Sequence, residues 1–133
     1  MSKILNVSEA VAIALHSMAL IAQSDEILNV NKIADITKFS KSHLAKVMQQ
    51  LVRFNYLKST RGPEGGYILA KKPEEISLKE IYNLIEGEID NNFCNYHLDK
   101  CLFNKCVFGG LNRKFTNEFS EYLTNNTLND IIK

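Results

Sequence analysis

The sequence predicts a mainly α-helical fold that carries one small β-hairpin. Two short helical patterns flank a turn at Lys38-Phe39-Ser40, a glycine-rich segment follows them, and a seam of apolar residues recurs at helical spacing near the end of the chain. A short helix, a turn, a second helix and a hairpin, in this order, are typical of a winged helix-turn-helix. We therefore expect a winged helix-turn-helix with a small β-wing and a long C-terminal dimerisation helix.

Composition is ordinary for a globular protein of this size. The chain has 133 residues, of which 45% are hydrophobic and 23% are charged, so disorder is not expected. The most apolar run, residues 10–22, is too short to cross a bilayer. Three cysteines in such a chain are more typical of ligands or redox thiols than of a secreted disulfide scaffold, so we expect a cytoplasmic protein with no membrane contact.

Charge is unevenly distributed, although the net charge is only +1. No acidic residue lies between Ile36 and Pro63, whereas six basic residues do: Lys38, Lys41, Lys46, Arg53, Lys58 and Arg61. Residues 73–133 instead hold ten acidic and six basic side chains, a net charge of −4. A basic patch that coincides with a helix-turn-helix pattern predicts double-stranded DNA as the partner. A solvated lysine-bearing helix face is the simpler alternative.

The first helix is predicted from Glu9 to about Gln23, with Ser8 as its N-cap. Several of its faces are apolar, so it is expected to be buried on more than one side, in part against a second subunit. His16 lies within this helix. A partly buried, hydrogen-bonded histidine is the plain interpretation, and a metal ligand is the alternative.

The second and third helices form the predicted reading unit. Ser40 is the candidate N-cap of the third helix, whose polar side offers Lys41, Ser42, His43 and Lys46. The first turn of this helix is expected to meet DNA. Lysine and serine suit phosphates, histidine can reach a base edge, and a helix N-terminus favours a phosphate.

Two strands are predicted at residues 56–60 and 67–70, with a turn between them. Arg61 stands at the tip of this wing, where a wing meets the DNA backbone or minor groove, so we predict that Arg61 contacts DNA. The glycines of the turn, Gly62, Gly65 and Gly66, are expected to supply the positive φ angles that a tight wing needs. The turn lacks the GK[ST] of a P-loop, so nucleotide binding is not expected.

Two further helices are predicted after the wing. The fourth begins around residues 76–80 and ends near Gly87. The last carries apolar residues at spacings of 3, 4, 4 and 3, namely Phe108, Leu111, Phe115, Phe119 and Tyr122. Such a stripe resembles a coiled-coil seam, and a chain this small has little else to cover it, so we expect a homodimer. Packing on the core of the same chain is the alternative. The division is thus a DNA-binding domain over residues 1–87 and a cysteine loop with a dimerisation helix over residues 88–133.

Cys94, Cys101 and Cys106 form a C-x6-C-x4-C cluster that leads into the last helix. Thiolates select iron–sulfur clusters or zinc, so a metal site is predicted. His97, His16 and Glu9 are all candidates for a fourth ligand. Unliganded redox thiols remain an alternative, and so does a thiol oxidoreductase or iron–sulfur carrier. No C-x-x-C motif or acid–base pair supports catalysis, so an enzyme is not expected.

Four features together resemble the Rrf2 family of bacterial transcription regulators. They are ALHSMALIA, IADITKFSKSHLAKVMQQL, LKSTRGPEGGYILAKKPEEISLKEIYNLIEG and the three late cysteines. The resemblance covers nearly the whole chain. It places Ser40, Lys41, Ser42, His43 and Lys46 on the family's recognition helix, and Arg61, Gly65 and Gly66 on its DNA-binding wing. It implies a homodimeric winged-helix repressor or activator, and, as in many members, an iron–sulfur cluster on three such cysteines that senses redox, nitric oxide or iron–sulfur status.

The chain departs from the family pattern at two places. The usual cysteine spacing is nearer C-x5-C-x5-C, and Gly109 stands where some members have a histidine three residues after the last cysteine. Other members take a ligand from the first helix of the opposite subunit. His16 falls at a similar position, so the resemblance adds His16 to the metal ligands Cys94, Cys101 and Cys106.

Overall fold

The computed structural model describes residues 7–89 and 101–133 of the chain. The elements are α1 (Glu9–Gln23), α2 (Val30–Thr37), α3 (Lys41–Arg53), β1 (Leu57–Ser59), β2 (Tyr67–Leu69), a 3-10 turn (Pro73–Glu75), α4 (Leu78–Glu86), α5 (Leu111–Asn125) and α6 (Leu128–Ile131). The predicted class, mainly α-helical with a small β-wing, is confirmed.

Serine side chains begin three of the helices. The Ser8 hydroxyl accepts the N–H of Val11 at 3.2 Å, and the Ser40 hydroxyl accepts the N–H of His43 at 3.2 Å. Ser77 forms a reciprocal capping box with Glu80 at the start of α4. Each cap satisfies a backbone N–H that the helix cannot, which stabilises a helix by about 1 kcal/mol. The N-caps predicted at Ser8 and Ser40 are therefore confirmed.

Two non-glycine residues take the left-handed conformation just after the C-terminal ends of α2 and α3. Lys38 (φ 65°) follows α2 and turns the chain toward α3, and Asn55 (φ 66°) lies just after α3. Asparagine tolerates this conformation well, as predicted for Asn55. For lysine it is strained, by about 1–2 kcal/mol, and the N–H of Lys38 donates to the Ala34 carbonyl at 2.8 Å.

The wing is an antiparallel pair in which Leu57 faces Leu69 and Ser59 faces Tyr67. Both strands are shorter than predicted, because Tyr56, Thr60 and Ala70 lie outside them. The N–H of Tyr67 also donates to the Leu28 carbonyl at 2.9 Å. This third contact joins the wing to the segment before α2.

One hydrophobic core holds α1 to α4, β1 and the C-terminal end of the chain together. Its fully buried members include Ile13, Ile33, Leu51 and Ile81, and Leu123 and Leu128 join them from α5 and α6. The division at residue 87 stays a prediction, although these two leucines lie in the same core as the helix-turn-helix.

The last helix differs in extent from the predicted seam. Phe108 precedes α5, and the short helix α6 was not predicted. The N–H of Leu78 donates to the Asn126 carbonyl and the N–H of Leu128 to the Ile76 carbonyl, each at 3.0 Å, so the chain end closes against the base of α4. Among the described residues no helix has the length and apolar character needed to cross a membrane.

Candidate nucleic-acid interface and cysteine segment

The two sides of α3 differ sharply in exposure. Leu44, Val47, Met48 and Leu51 are at most 4% exposed and face the core. The opposite side is exposed and carries Lys41, Ser42 and Lys46. Because the apolar residues of α3 recur at helical spacing, they all lie on one side of the helix. Packing of that side against the core leaves the basic side open to a ligand.

Most of the basic charge predicted to meet DNA is available. Within residues 7–89 and 101–133 the ion pairs are Lys32–Glu26 and His43–Glu9. Lys41, Lys46, Lys58 and Arg61 are exposed and belong to neither pair. These charges can therefore attract a polyanion without first breaking an internal ion pair.

Ser40 and His43 have contacts within the chain. The Ser40 hydroxyl caps α3, and the His43 Nδ1 lies 3.7 Å from the Glu9 carboxylate of α1. Both residues are at least partly accessible, so a second contact with DNA is sterically open to each. The Glu9 carboxylate is the acidic group that the sequence did not place beside this surface.

The expectation of positive φ angles in the wing is confirmed for Gly62 and wrong for Gly65 and Gly66. Gly62 has a positive φ of 101°, whereas Gly65 and Gly66 do not. At Gly65 a Cβ would lie 2.4 Å from the Thr60 carbonyl oxygen, and at Gly66 a Cβ would lie 2.4 Å from that of Leu28. Close backbone approach, not positive φ, therefore requires glycine at these two positions.

Internal hydrogen bonds already use the N–H groups of these two glycines. The N–H of Gly65 donates to the Gly62 carbonyl at 2.9 Å, and the N–H of Gly66 donates to the Thr60 hydroxyl at 2.9 Å. Contact of Gly65 and Gly66 with DNA stays a prediction. What the structure shows for them is that they set the shape of the wing that presents Arg61.

Helix α4 supports the reading unit through two long-range hydrogen bonds that the sequence did not predict. Gln50 Nε2 donates to the Leu84 carbonyl at 3.2 Å, and the Tyr56 hydroxyl donates to Glu80 Oε2 at 3.1 Å. Burial and the neighbouring Glu80 carboxylate raise the pKa of Tyr56. These contacts fix the end of α3 and the start of the wing against α4.

The cysteine segment is only partly described. Cys101 and Cys106 are exposed, free thiols, whereas Cys94 and His97 lie outside the described residues. The backbone N–H groups of Gly110 and Phe108 lower the pKa of Cys106, because they donate to its sulfur and favour the thiolate. Within the described ranges no group of three histidine, cysteine, aspartate or glutamate side chains is placed to hold a metal ion. The predicted ligand set therefore stays a prediction.

His16 is exposed on α1, and its Nδ1 donates to the Ala12 carbonyl at 2.7 Å. Its ring also packs against the Phe39 ring in a T-shaped arrangement, with the ring centroids 6.1 Å apart. A proton on Nδ1 leaves the lone pair of Nε2 free, which is the form in which histidine binds a metal. The hydrogen bond agrees with the plain interpretation of His16, but the partial burial in that interpretation is wrong, and the role of His16 as a ligand is untested.

The segment before α5 and the first half of α5 expose an unusually apolar surface. Its members are Leu102, Phe103, Val107, Phe108, Leu111 and Phe115, with exposed fractions between 39% and 77%. We call these six residues the apolar surface. Large exposed apolar side chains that are close in sequence make this part of the chain a candidate interaction site.

Comparison with known proteins settles the family. The sequence model of the Rrf2 family, described as "Iron-dependent Transcriptional regulator", matches residues 7–133. The chain belongs to the Rrf2 family. An NsrR regulator of Bacillus licheniformis is 32% identical over 111 residues, which cover 82% of this chain and 78% of that protein. A putative HTH-type transcriptional regulator of Aquifex aeolicus is 29% identical over 129 residues, covering 94% of this chain and 90% of that protein.

Solved structures of Rrf2 regulators share the fold. CymR, the global cysteine regulator of Bacillus subtilis, superposes with a TM-score of 0.74 at 24% identity, covering 96% of both chains. IscR of T. potens superposes with a TM-score of 0.71 at 26% identity, covering 96% of this chain and 85% of that one. The Rrf2 relatives named here are transcription regulators rather than enzymes. The protein is thus a DNA-binding transcription regulator of the winged helix-turn-helix type.

Proposed function

We propose that this Rrf2 regulator acts as a homodimer and senses redox, nitric oxide or iron–sulfur status through a cysteine-ligated iron–sulfur cluster. The observation that carries the proposal is the position of the exposed thiols. Cys101 and Cys106 are followed directly in the chain by Leu102 and Val107 of the apolar surface, on the segment that leads into α5. A change at the thiols therefore acts on the surface expected to join two subunits.

The DNA-reading part of the proposal rests on the exposed side of α3 and on the wing. Lys41, Ser42 and Lys46 present polar groups along one face, with Ser40 and His43 at the helix start, and Arg61 is exposed on the wing. Gly65 and Gly66 contribute by shaping the turn. In a dimer two such helices enter successive major grooves of a roughly palindromic site, about 34 Å apart.

Removing single charges from this face tests the assignment. Lys46→Ala and Arg61→Ala should each weaken operator binding and, if they contact phosphates, lower the salt slope by about 1 per lost contact. Lys133→Ala, an exposed lysine at the chain end, is the matched control. Binding is measured by fluorescence anisotropy at two salt concentrations. Unchanged affinity in both test variants would refute this reading surface.

The dimer part of the proposal rests on complementary apolar features. Besides the apolar surface, a groove of about 350 Å³ lies among α1, α5 and α6, where it is lined by residues such as Leu15, Ala19 and Tyr122. His16 also lines this groove. A second copy related by two-fold symmetry can cover both the groove and the apolar surface reciprocally.

The cysteine chemistry fits an iron–sulfur cluster. The lowered pKa of Cys106 favours the thiolate, the soft ligand that such clusters and zinc select. Cys94, Cys101 and Cys106 would hold the cluster, and His16, His97 or Glu9 would supply a further ligand. When bound, the cluster supplies a centre that reacts with oxidants or nitric oxide. The chain's own contribution is to hold it at the entry to α5.

Anaerobic purification with iron, sulfide and zinc analysis and a visible spectrum decides among the metal hypotheses. Stoichiometric iron and sulfide with a visible absorption band are expected, and Cys106→Ser should lose both. His16→Ala, His97→Ala and Glu9→Ala, compared in parallel, identify the remaining ligand by the change in spectrum. Colourless, zinc-loaded protein would replace the cluster with a zinc site, and metal-free protein would leave a thiol-based regulator.

A further inference from the structure

A polar cleft of about 320 Å³ lies between α4 and α5. Six polar residues line it: Lys79 and Asn83 of α4, Glu88 just beyond α4, and Thr116, Asn117 and Ser120 of α5. Small-molecule sites begin at about 300 Å³, so the cleft has room for a small metabolite. Neither the proposed DNA surface nor the proposed metal ligands use these residues.

The cleft holds one positive and one negative side chain that do not neutralise each other. The ammonium group of Lys79 donates to the Ser120 hydroxyl at 3.1 Å, which fixes it between the two helices. Glu88 lines the same cleft, yet neither it nor Lys79 takes part in an ion pair within the part of the chain that the structure describes. Two opposite, unpaired charges across a small cleft match a ligand that itself carries both charges.

Asn83 contributes a polar side chain to the wall of the cleft. The side chains of Thr116 and Asn117 offer further polar groups on the facing helix.

The cleft is separate from the surface assigned to dimerisation. Helical spacing places Thr116 and Ser120 on a different side of α5 from Leu111, Phe115 and Tyr122. A second subunit seated on the apolar side therefore leaves the polar side of α5 accessible.

We propose that the cleft binds a free amino acid, with its carboxylate toward Lys79 and its ammonium group toward Glu88. The zwitterion matches both unpaired charges. Binding is non-covalent, and it depends neither on the cluster nor on DNA.

Titration of the full chain with individual L-amino acids, followed by calorimetry and by amide NMR shifts, tests this proposal. At least one amino acid should bind with amide shifts concentrated at residues 79–88 and 116–120, whereas acetate and ethanolamine, which carry one charge each, should not bind. Glu88→Gln and Lys79→Met should each weaken binding about tenfold or more, which is about 1.4 kcal/mol or more.

Glu118→Gln, on the other side of α5, is the matched control and should bind as the unaltered chain does. Lys79→Met also removes the hydrogen bond to Ser120, so Glu88→Gln, a change at an exposed residue beyond α4, keeps the test valid if the lysine variant folds poorly. Absence of binding by every amino acid, or unchanged affinity in Glu88→Gln, would overturn the proposal. Equal binding of acetate would replace it with a simple anion site.

Discussion

The helix-turn-helix and the cysteine segment differ in how they place apolar residues. The helix-turn-helix buries its apolar side chains, whereas the cysteine segment and the first half of α5 expose theirs. On α3 the apolar residues Leu44, Met48 and Leu51 are 0% exposed. In the second region Leu102 and Val107 are 77% and 74% exposed. Burial of a leucine side chain stabilises a fold by about 1.5–3 kcal/mol. The first region therefore gains this free energy within one chain, whereas the second region, whose apolar side chains are exposed, does not. The helix-turn-helix is thus complete in a single chain, whereas the second region leaves its apolar residues open to a further contact.

The largest effect is expected in the region that is already complete. Leu51→Ala should lower the free energy of unfolding by about 2–5 kcal/mol, because it leaves a cavity in the core beneath the recognition helix. Urea denaturation at a fixed protein concentration measures it. Ile36→Ala, at a site that is 58% exposed, is the control and should change stability little. Equal losses of unfolding free energy in Leu51→Ala and Ile36→Ala would show that the difference in burial between the two sites does not determine stability.

The apolar surface should respond in the opposite manner. Leu111→Ser combined with Phe115→Ser should raise the dimer dissociation constant roughly 100-fold, or about 2.7 kcal/mol, while the monomer keeps its helical content. Analytical ultracentrifugation with circular dichroism separates the two outcomes. Asn117→Ser, on another side of α5, should leave association unchanged. A double variant that dimerises normally would remove this surface from the interface.

The wing offers a finer test within the complete region. Gly66→Ala should cost about 1–3 kcal/mol, because its Cβ would meet the Leu28 carbonyl and disturb the joint between wing and α2. Gly62→Asn should cost less, since nothing lies within 4 Å of a Cβ there and asparagine tolerates positive φ. Thermal unfolding of both variants gives the comparison. A greater loss from Gly62→Asn would mean that backbone conformation, not close approach, governs the wing.

The smallest effect concerns the pH dependence of a thiol. The pKa of Cys106 is lowered by hydrogen bonds from the Gly110 and Phe108 backbone, so its thiolate persists to lower pH than in an unfolded chain. In the metal-free protein with Cys94 and Cys101 replaced by serine, the alkylation rate should rise with pH around a midpoint below the usual cysteine value of about 8.5. The same protein in denaturant provides the reference. Coincident midpoints would show that the backbone N–H groups do not reach the sulfur.

Local features were predictable from the sequence because their causes lie within a few residues. Ser8 and Ser40 precede helical patterns and accept N–H groups three residues later, and Asn55 follows the last apolar residue of α3. The basic, exposed side of α3 follows from helical spacing in the same way. Position and chemistry of the candidate reading surface were therefore available without coordinates.

Contacts between distant segments were not predictable. The Tyr56–Glu80 hydrogen bond joins residues 24 positions apart, and the need for glycine at Gly66 arises from Leu28 on another element. Nothing in either local sequence indicates these neighbours. The same limit applies to the ion pair of Glu9 with His43, and to the unpaired charges that Lys79 and Glu88 bring to one cleft.

The hydrogen bonds between residues 126–128 and residues 76–78 anchor the C-terminal end of α5 beside the start of α4. One end is held, since Leu123 is buried and Ser120 is bonded to Lys79, while Leu111 at the other end remains exposed. About 18 Å of helix separates Leu123 from Leu111, so a tilt of about ten degrees moves the far end by about 3 Å. The anchored end of α5 contacts α4, and the Leu84 carbonyl of α4 also accepts a hydrogen bond from Gln50 of α3. We expect a rearrangement around the thiols to displace the exposed end of α5 most and to reach the anchored end, on the helix that supports α3, as a smaller tilt.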